Sequence, residues 1–333
     1  MINKKTILIT GGTGSFGQKF VETLLFKYKP KKIIIFSRGE HMQYEMQKKF
    51  PGNKFTEMRY FLGDVRDLPR LKLAMRNVDI VIHAAALKHV PITEYNPFEA
   101  VKTNIIGAQN VIDASLGSKV TRVLALSTDK ASSPINLYGA TKLASDKLFI
   151  AANNYIGKRN LKYSVVRYGN IVASSGSVIP NFLDQSKKDI LYLTDKKMTR
   201  FNITLQESIE FVLFSLKKMW GGEIFVPKIP SYRLLDLAKA VSSKAKIKYT
   251  GIRTGEKLHE EMISSSDSMN TLEYKDHFVI VPNSIFINWD KKMYLKKNKG
   301  GKNCAEDFSY NSKQNENFLT VNQLKKIIKN ILQ

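Results

Sequence analysis

The stretch TGGTGSFG (10–17) follows a short β-branched run, TILIT, and leads into an amphipathic segment, SFGQKFVETLLFKY. Gly11, Gly14 and Gly17 stand at three-residue intervals. Glycine allows the tight turn, the close approach of backbone to a diphosphate, and the close packing of helix on sheet. A helix that starts directly after such a turn points its free N–H groups and the positive end of its dipole at an anion. Three glycines alone mark no more than a turn. With a strand before them and a helix after them, they read as a phosphate turn for a dinucleotide.

The rest of the first half has the rhythm that such a turn requires. Strand-like runs at 32–38, 59–67, 79–86, 120–128 and 163–172 alternate with helical patterns at 40–49, 68–76 and 97–116, and with a helix carrying Lys142 and running to about Asn154. Strands alternating with helices imply right-handed crossovers and a parallel sheet covered on both faces. The fold class expected is α/β, a Rossmann-type doubly wound parallel sheet with a smaller interleaved α/β substrate domain. Past residue 172 the pattern becomes polar and turn-rich. A helix at 205–219 and a strand at 223–228 look like a return to the main sheet. Residues 233–281 read as a further small α/β segment, 290–318 as a loop-like or partly ordered Lys/Asn-rich tail, and VNQLKKIIKNIL as a last short helix. The domains expected are therefore 1–172 with about 204–232 for the dinucleotide, and about 173–203 with 233–333 for the substrate and tail.

Composition sets limits. Apolar residues make up 43% and charged residues 25%, as in an ordinary globular chain. The single cysteine, Cys304, allows no internal disulfide and suits a reducing cytoplasm. No apolar run is long enough to span a bilayer, and MINKKTILITGG lacks the h-region and cleavage site of a signal peptide. The net charge of +24 fits nucleic acid, an anionic membrane surface or phosphorylated small molecules as partners. The lysines are dispersed, however, and a solvated lysine-rich surface explains them better, so no nucleic-acid or membrane partner is expected.

Ligands of such sheets sit at the carboxyl ends of the strands. The second strand ends in Ser37-Arg38 with no acid for a ribose 2′-hydroxyl, and a hydroxyl beside a guanidinium suits a 2′-phosphate. NADP is the cofactor expected, although Arg38 could instead stack on adenine with either cofactor. Asp64-Val65, ending the third strand, could contact adenine, or Asp64 could cap a helix. His89 and His259 have no other His or Cys at ligand spacing, so no metal is expected.

The densest chemistry lies in STDKASSPINLYGATK (127–142). On a helix Tyr138 and Lys142 share one face, a turn apart, and an ammonium beside a phenol lowers the phenol pKa. Asp129 and Lys130 are either an acid–base pair or a surface pair in a loop. Tyr-x-x-x-Lys after the glycine turn resembles the short-chain dehydrogenase/reductase superfamily in its extended form. Thr128-Asp129-Lys130, with HAAALKHVPITEYNP, GDVRDL, VVRYGNI, MTRF, GGEIFVPKIPS and GIRTGEKLHE, resembles the UDP-N-acetylglucosamine 4,6-dehydratases, in particular the inverting type with Tyr at position 138.

The resemblance implies NADP-dependent 4,6-dehydration of UDP-N-acetylglucosamine with C5 inversion, the reaction that opens pseudaminic acid synthesis. Tyr138 would take the C4 hydroxyl proton and Thr128 would bond the C4 oxygen. Lys130, neutral through burial and the nearby Lys142, would remove the C5 proton, and Asp129, with a raised pKa, would protonate the departing C6 hydroxyl. The cofactor positions it implies are Gly11, Thr13, Gly14, Ser15, Phe16, Gly17, Ser37, Arg38, Asp64, Val65, Ala84, Ala85, Ala86, Lys88, Asn104, Tyr138 and Lys142. For substrate they are Lys88, Asn170, Val178, Thr194, Met198, Arg200, Arg253 and Glu256. A homo-oligomer follows from the same resemblance, a hexamer being one such assembly. The chain departs from the family pattern at Gly39, where an acid usually follows Ser-Arg, near Ser175, usually Arg, and near Asn202, usually Trp. A retaining dehydratase or a 4-epimerase is the alternative within enzymes; an epimerase needs no acid at C6. A non-catalytic NADP-sensing protein is the alternative from another class.

Overall fold

The computed structural model describes residues 1–172, 178–283 and 289–332, with side chains as far as 330. Strand β1 (Thr6–Thr10) is buried at every position, as a strand covered on both faces must be. It leads through the glycine turn into α1 (Ser15–Lys27). The alternation continues with β2 (Lys32–Ser37), α2 (Glu40–Lys49), β3 (Met58–Leu62), α3 (Leu68–Ala74) and β4 (Ile80–His83). Helices α4 (Val90–Tyr95) and α5 (Pro97–Ala100) follow, then a π-helical stretch (Val101–Ile106) that merges into α6 (Gly107–Leu116). Next come β5 (Arg122–Thr128), α7 (Leu137–Ala151) and β6 (Lys162–Tyr168).

Two expected strands are shorter than the sequence pattern suggests, and each stops beside a glycine. The third stops at Leu62; Gly63 N still donates to the Ser37 carbonyl at 3.1 Å, and a Cβ at Gly63 would collide with the Phe36 ring. The sixth stops at Tyr168. Beyond Gly169 the chain crosses to another sheet as β7 (Asn170–Ile171).

The second half begins with α8 (Val178–Ser186), β8 (Ile190–Leu193), β9 (Thr199–Ile203), α9 (Leu205–Lys218), β10 (Ile224–Pro227) and β11 (Ser231–Arg233). It continues through α10 (Leu234–Val241), β12 (Lys246–Tyr249), β13 (Glu261–Ile263), β14 (Thr271–Glu273), β15 (His277–Ile280) and α11 (Lys291–Lys297), and closes with β16 (Lys302–Asn303), β17 (Tyr310–Asn311) and α12 (Val321–Leu332).

The main sheet runs β16-β14-β15-β10-β6-β5-β4-β1-β2-β3. From β3 to β10 every pairing is parallel, and β1 pairs with β2 on one side and β4 on the other. The strand order therefore reverses at β1, which opens a crevice at the carboxyl ends of β1 and β4. Strands β15, β14 and β16 extend the sheet in antiparallel fashion, so residues 271–280 and 302–303, expected in the second domain by pattern, add an edge to the first sheet.

A second core gathers Ile179, Phe182, Leu191, Leu193, Met198, Leu237, Leu324 and Ile328. Above the crevice lies a three-stranded sheet, β11-β9-β7. The tail is not a loose loop. Tyr310 is buried, β17 pairs with β13, and Ser231 exchanges backbone bonds with Asn317 and Leu319. Its polar composition reads as loop-like or partly ordered, but Tyr294, Tyr310 and Ser312 are buried.

Candidate active site

Gly11 has φ +68°, and a Cβ there would lie 2.9 Å from the Ala85 backbone. A Cβ at Gly17 would collide with the Gly12 carbonyl, so these two positions need glycine for shape. At Gly14 a Cβ would meet only the Gly11 carbonyl, at 3.4 Å, and would otherwise project into an open cavity. Gly14 precedes α1 and no side chain caps that helix, so the positive end of its dipole lies at the cavity that Gly14, Ser15 and Phe16 line. The cradle fits a diphosphate.

The cavity has a volume of about 690 Å³. Of the expected cofactor positions, Gly11, Thr13, Gly14, Ser15, Phe16, Gly17, Ser37, Arg38, Val65, Ala84, Ala85, Ala86, Lys88, Tyr138 and Lys142 line it. Asp64 and Asn104 stand behind the wall. Asp64 accepts from the Arg66 backbone at 2.9 Å and from its guanidinium at 2.7 and 2.9 Å, with Arg38 3.8 Å away. Asn104 sits in the π-helical stretch, accepts from Leu87 N and donates to Leu87 O and Thr141 Oγ1, and so ties the 84–88 loop to α7. Gln43, which carries no motif, donates to the Ser37 carbonyl and hydroxyl and fixes the end of β2.

The Thr-Asp-Lys triplet caps the end of β5. Asp129 has no exposed surface; its Oδ1 accepts from Thr128 Oγ1 and from Lys130 Nζ, both at 3.0 Å, and its Oδ2 has no partner. Lys130 Nζ also donates to Asn170 Oδ1 at 3.4 Å and lies 2.9 Å from Glu260 Oε1. Asn136 caps α7 by accepting from Gly139 N, which places Tyr138 in the first turn, where its phenol shares a hydrogen bond with Thr128. Thr128, Lys130, Tyr138 and Lys142 all reach the cavity that the glycine turn lines.

The electrostatics agree with one expectation and correct two. Burial, partly countered by Lys130, raises the Asp129 pKa, the direction an acid needs. Lys130 is not shifted toward the neutral amine. Burial acts that way, but Asp129 and Glu260 outweigh it and hold the ammonium above its ordinary value. Tyr138 is not made acidic by Lys142. Burial pushes the phenol up to about 12, and the cation that acts to lower it is Lys130. Lys142, lowered by burial, has Asp146 as its acidic counterpart.

The expected substrate positions separate. Lys88, Asn170 and Val178 line the cavity, and burial lowers the Lys88 pKa. Thr194 and Met198 are buried off the cavity, Met198 within the second core. Arg200 is 6% exposed and is engaged by the Thr199 and Leu258 carbonyls, by Glu256 at 3.4 Å and by Glu260 at 3.7 Å. Arg253 is exposed in the 250–260 loop. Sequence reading passed over Asn202, Tyr232 and Leu324, which line the cavity, and Glu260, whose signal was its place in GIRTGEKLHE. Ser175 lies outside the described residues. Among the described residues no three His, Cys, Asp or Glu side chains converge as metal ligands.

A doubly wound sheet with a phosphate turn at its switch point, and a Tyr-x-x-x-Lys helix facing that turn, defines an enzyme of the extended short-chain dehydrogenase/reductase class. Residues 7–282 match the family described as polysaccharide biosynthesis protein, and the chain belongs to it. A Campylobacter jejuni protein named UDP-N-acetylglucosamine 4,6-dehydratase (inverting) is 52% identical over 98% of each chain. A Rickettsia conorii protein named UDP-glucose 4-epimerase is 38% identical over 99% of this chain and all of its own length. The X-ray structure of Pen from Bacillus thuringiensis, 36% identical, superposes with a TM-score of 0.88 over 99% of this chain and 98% of that one.

Proposed function

We propose that this protein is an NADP-dependent, inverting UDP-N-acetylglucosamine 4,6-dehydratase. Its product would be UDP-2-acetamido-2,6-dideoxy-β-L-arabino-hex-4-ulose, the first intermediate of pseudaminic acid synthesis. It would work as a cytoplasmic homo-oligomer.

The observation that carries the reading is the Asp129–Lys130 contact at 3.0 Å, with the acid fully buried, beside Tyr138 at the cavity wall. A 4-epimerase moves hydrogen only at C4 and has no use for this pair. Dehydration needs an acid at C6 and a base at C5 on one side of the sugar. The glycine turn and the cavity wall at Tyr138 and Lys142 would hold a nicotinamide dinucleotide, which when bound would supply hydride transfer between C4 and C6. Tyr138 takes the C4 hydroxyl proton, with Thr128 holding the oxygen. The ketone acidifies C5, Lys130 removes that proton, and Asp129 supplies a proton to the C6 hydroxyl, which leaves as water. For the choice of NADP, the support is Arg38, half exposed at the cavity wall beside Ser37, with no acid at the end of β2.

The test is incubation of the purified protein with UDP-N-acetylglucosamine in D2O, without added cofactor, followed by NMR. A 4-keto-6-deoxy product with deuterium at C5 and L-arabino configuration is expected. UDP-N-acetylgalactosamine as sole product would establish the epimerase reading, and D-configured ketone the retaining one.

A further inference from the structure

Lys130 is the residue whose surroundings fit its assigned task least simply, because a base must present a lone pair. Its three donors are matched by three acceptors: Asp129 Oδ1 at 3.0 Å, Glu260 Oε1 at 2.9 Å and Asn170 Oδ1 at 3.4 Å. Three acceptors around one Nζ favour the ammonium, the form that exists once the C5 proton has been taken.

Glu260 is not an accidental neighbour. It is 2% exposed, and nothing bonds its Oε2. Its backbone N–H donates to Ser312 Oγ at 2.9 Å, and its carbonyl accepts from Ser312 N at 2.7 Å. Pairing of β13 with β17 continues that anchorage into the tail. A carboxylate is costly to bury unless a charge faces it. Lys130 and Arg200 both face this one, and they hold its pKa low against the effect of burial.

We propose that Glu260 is the positioning residue of the C5 base: it stands behind Lys130 Nζ and receives the positive charge that forms there when the amine takes the C5 proton. This rests on the reading of Lys130 as that base. The step balances. The C5–H electrons stay with the sugar as the enolate of the 4-ketone, the proton moves to Nζ, and the new ammonium faces a carboxylate already in place. The logic is that of the triad aspartate behind a catalytic histidine, which orients its partner and stabilises the cation it becomes. Glu260 thereby makes the neutral amine a stronger base and shifts the pH at which it becomes available upward. The other groups whose fields bear on the pair are Asp129 and Tyr138 on the motif, Arg200 and Tyr232 on the three-stranded sheet, and Lys257 on the adjoining loop.

The experiment is the pH dependence of kcat/KM and kcat for UDP-N-acetylglucosamine in wild type, Glu260→Gln and Glu260→Asp, each carrying its own bound cofactor. In Glu260→Gln the ascending limb moves to lower pH by at least one unit, the plateau kcat falls at least tenfold, and KM stays within about threefold. Glu260→Asp keeps the charge, so its limb stays at the wild-type position while kcat falls. A limb that does not move in Glu260→Gln, with either a uniform loss or no loss, overturns the proposal. If Glu260→Gln does not fold, a displaced limb in Glu260→Asp overturns it instead. Wild type that forms no ketone removes the dehydratase reading and this proposal together. Wild type that forms ketone, with an undisplaced variant limb, removes Glu260 alone.

Discussion

Three consecutive residues, Thr128, Asp129 and Lys130, and two a helical turn apart, Tyr138 and Lys142, carry most of the proposed chemistry, and residues far away in the chain help set their charge states. Lys130 and Asp129 are neighbours by sequence, but Lys130 is held as an ammonium by a carboxylate 130 positions later. A lysine read from its own motif seems ready to lose its proton; placed between Asp129 and Glu260 it resists doing so. Substitution tests the role directly. Lys130→Ala should give no C5 exchange and no product, while circular dichroism and the amount of bound dinucleotide stay as in wild type. Product at the wild-type rate would remove Lys130 from the mechanism. The cofactor side was easier to read, because glycines act through what they lack. Gly11 and Gly17 leave room for neighbouring backbone, and Gly14 opens onto the cavity.

At the scale of elements, Gly169 deserves the closest reading. It looks like one more residue of a long strand, VVRYGNIV, yet it ends β6 and begins the crossing to β7. A Cβ there would lie 2.5 Å from Phe201 Cβ and 3.3 Å from Asp129 Oδ2. Gly169→Ala should therefore push β9 or the Asp129 carboxylate out of place. The expected result is a loss of activity of at least tenfold, with a lowered melting temperature. A fully active, equally stable variant would show that the contact is slack.

Helix α9 offers a contrasting case, because its start is fixed by a local capping box. Thr204 accepts from Glu207 N, and the Glu207 carboxylate accepts from Thr204 N and Oγ1. Removing this box with Thr204→Ala should cost about 1 kcal/mol of stability. Turnover should be unchanged, since neither residue lines the cavity. Equilibrium urea unfolding beside a turnover assay checks both halves.

For the whole molecule, the buried core links folding to acid. His83, 1% exposed, bonds Thr10 Oγ1 at 2.8 Å, and Thr10 Oγ1 also accepts from Ala84 N and Ala85 N at the mouth of the cavity. Burial, aided by Lys142, pushes the imidazole down to about 3. An unfolded histidine titrates near 6.5. Below that pH the unfolded chain binds a proton that the folded chain refuses. The stability associated with neutral His83 is thus present above about pH 6.5 and is lost as pH falls toward about 3. Comparison of urea midpoints at about pH 7.5 and 4.5 should show a smaller drop in His83→Gln than in wild type, the difference being on the order of 2 kcal/mol. Equal drops would place the acid lability elsewhere. No described helix is long and apolar enough to cross a membrane.

The sequence by itself determined the parallel sheet, the phosphate turn and the Tyr-x-x-x-Lys helix. Each depends on a local pattern: β-branched runs, glycines at fixed intervals, and a spacing that one helical turn enforces. It also marked Asp129 and Lys130 as a pair, because adjacent residues at a strand end cannot be far apart. Only the tertiary structure decided the company they keep. Burial raises Asp129 and Tyr138, and Glu260 and Arg200 arrive from segments whose local patterns say nothing of that meeting. The Lys/Asn-rich tail, which reads as loop-like or partly ordered, becomes the support of Glu260 through β17 and Ser312. The physical reason is the same throughout. Backbone conformation follows from neighbours in sequence, whereas the charge of a buried group follows from the sum of fields of everything folded around it.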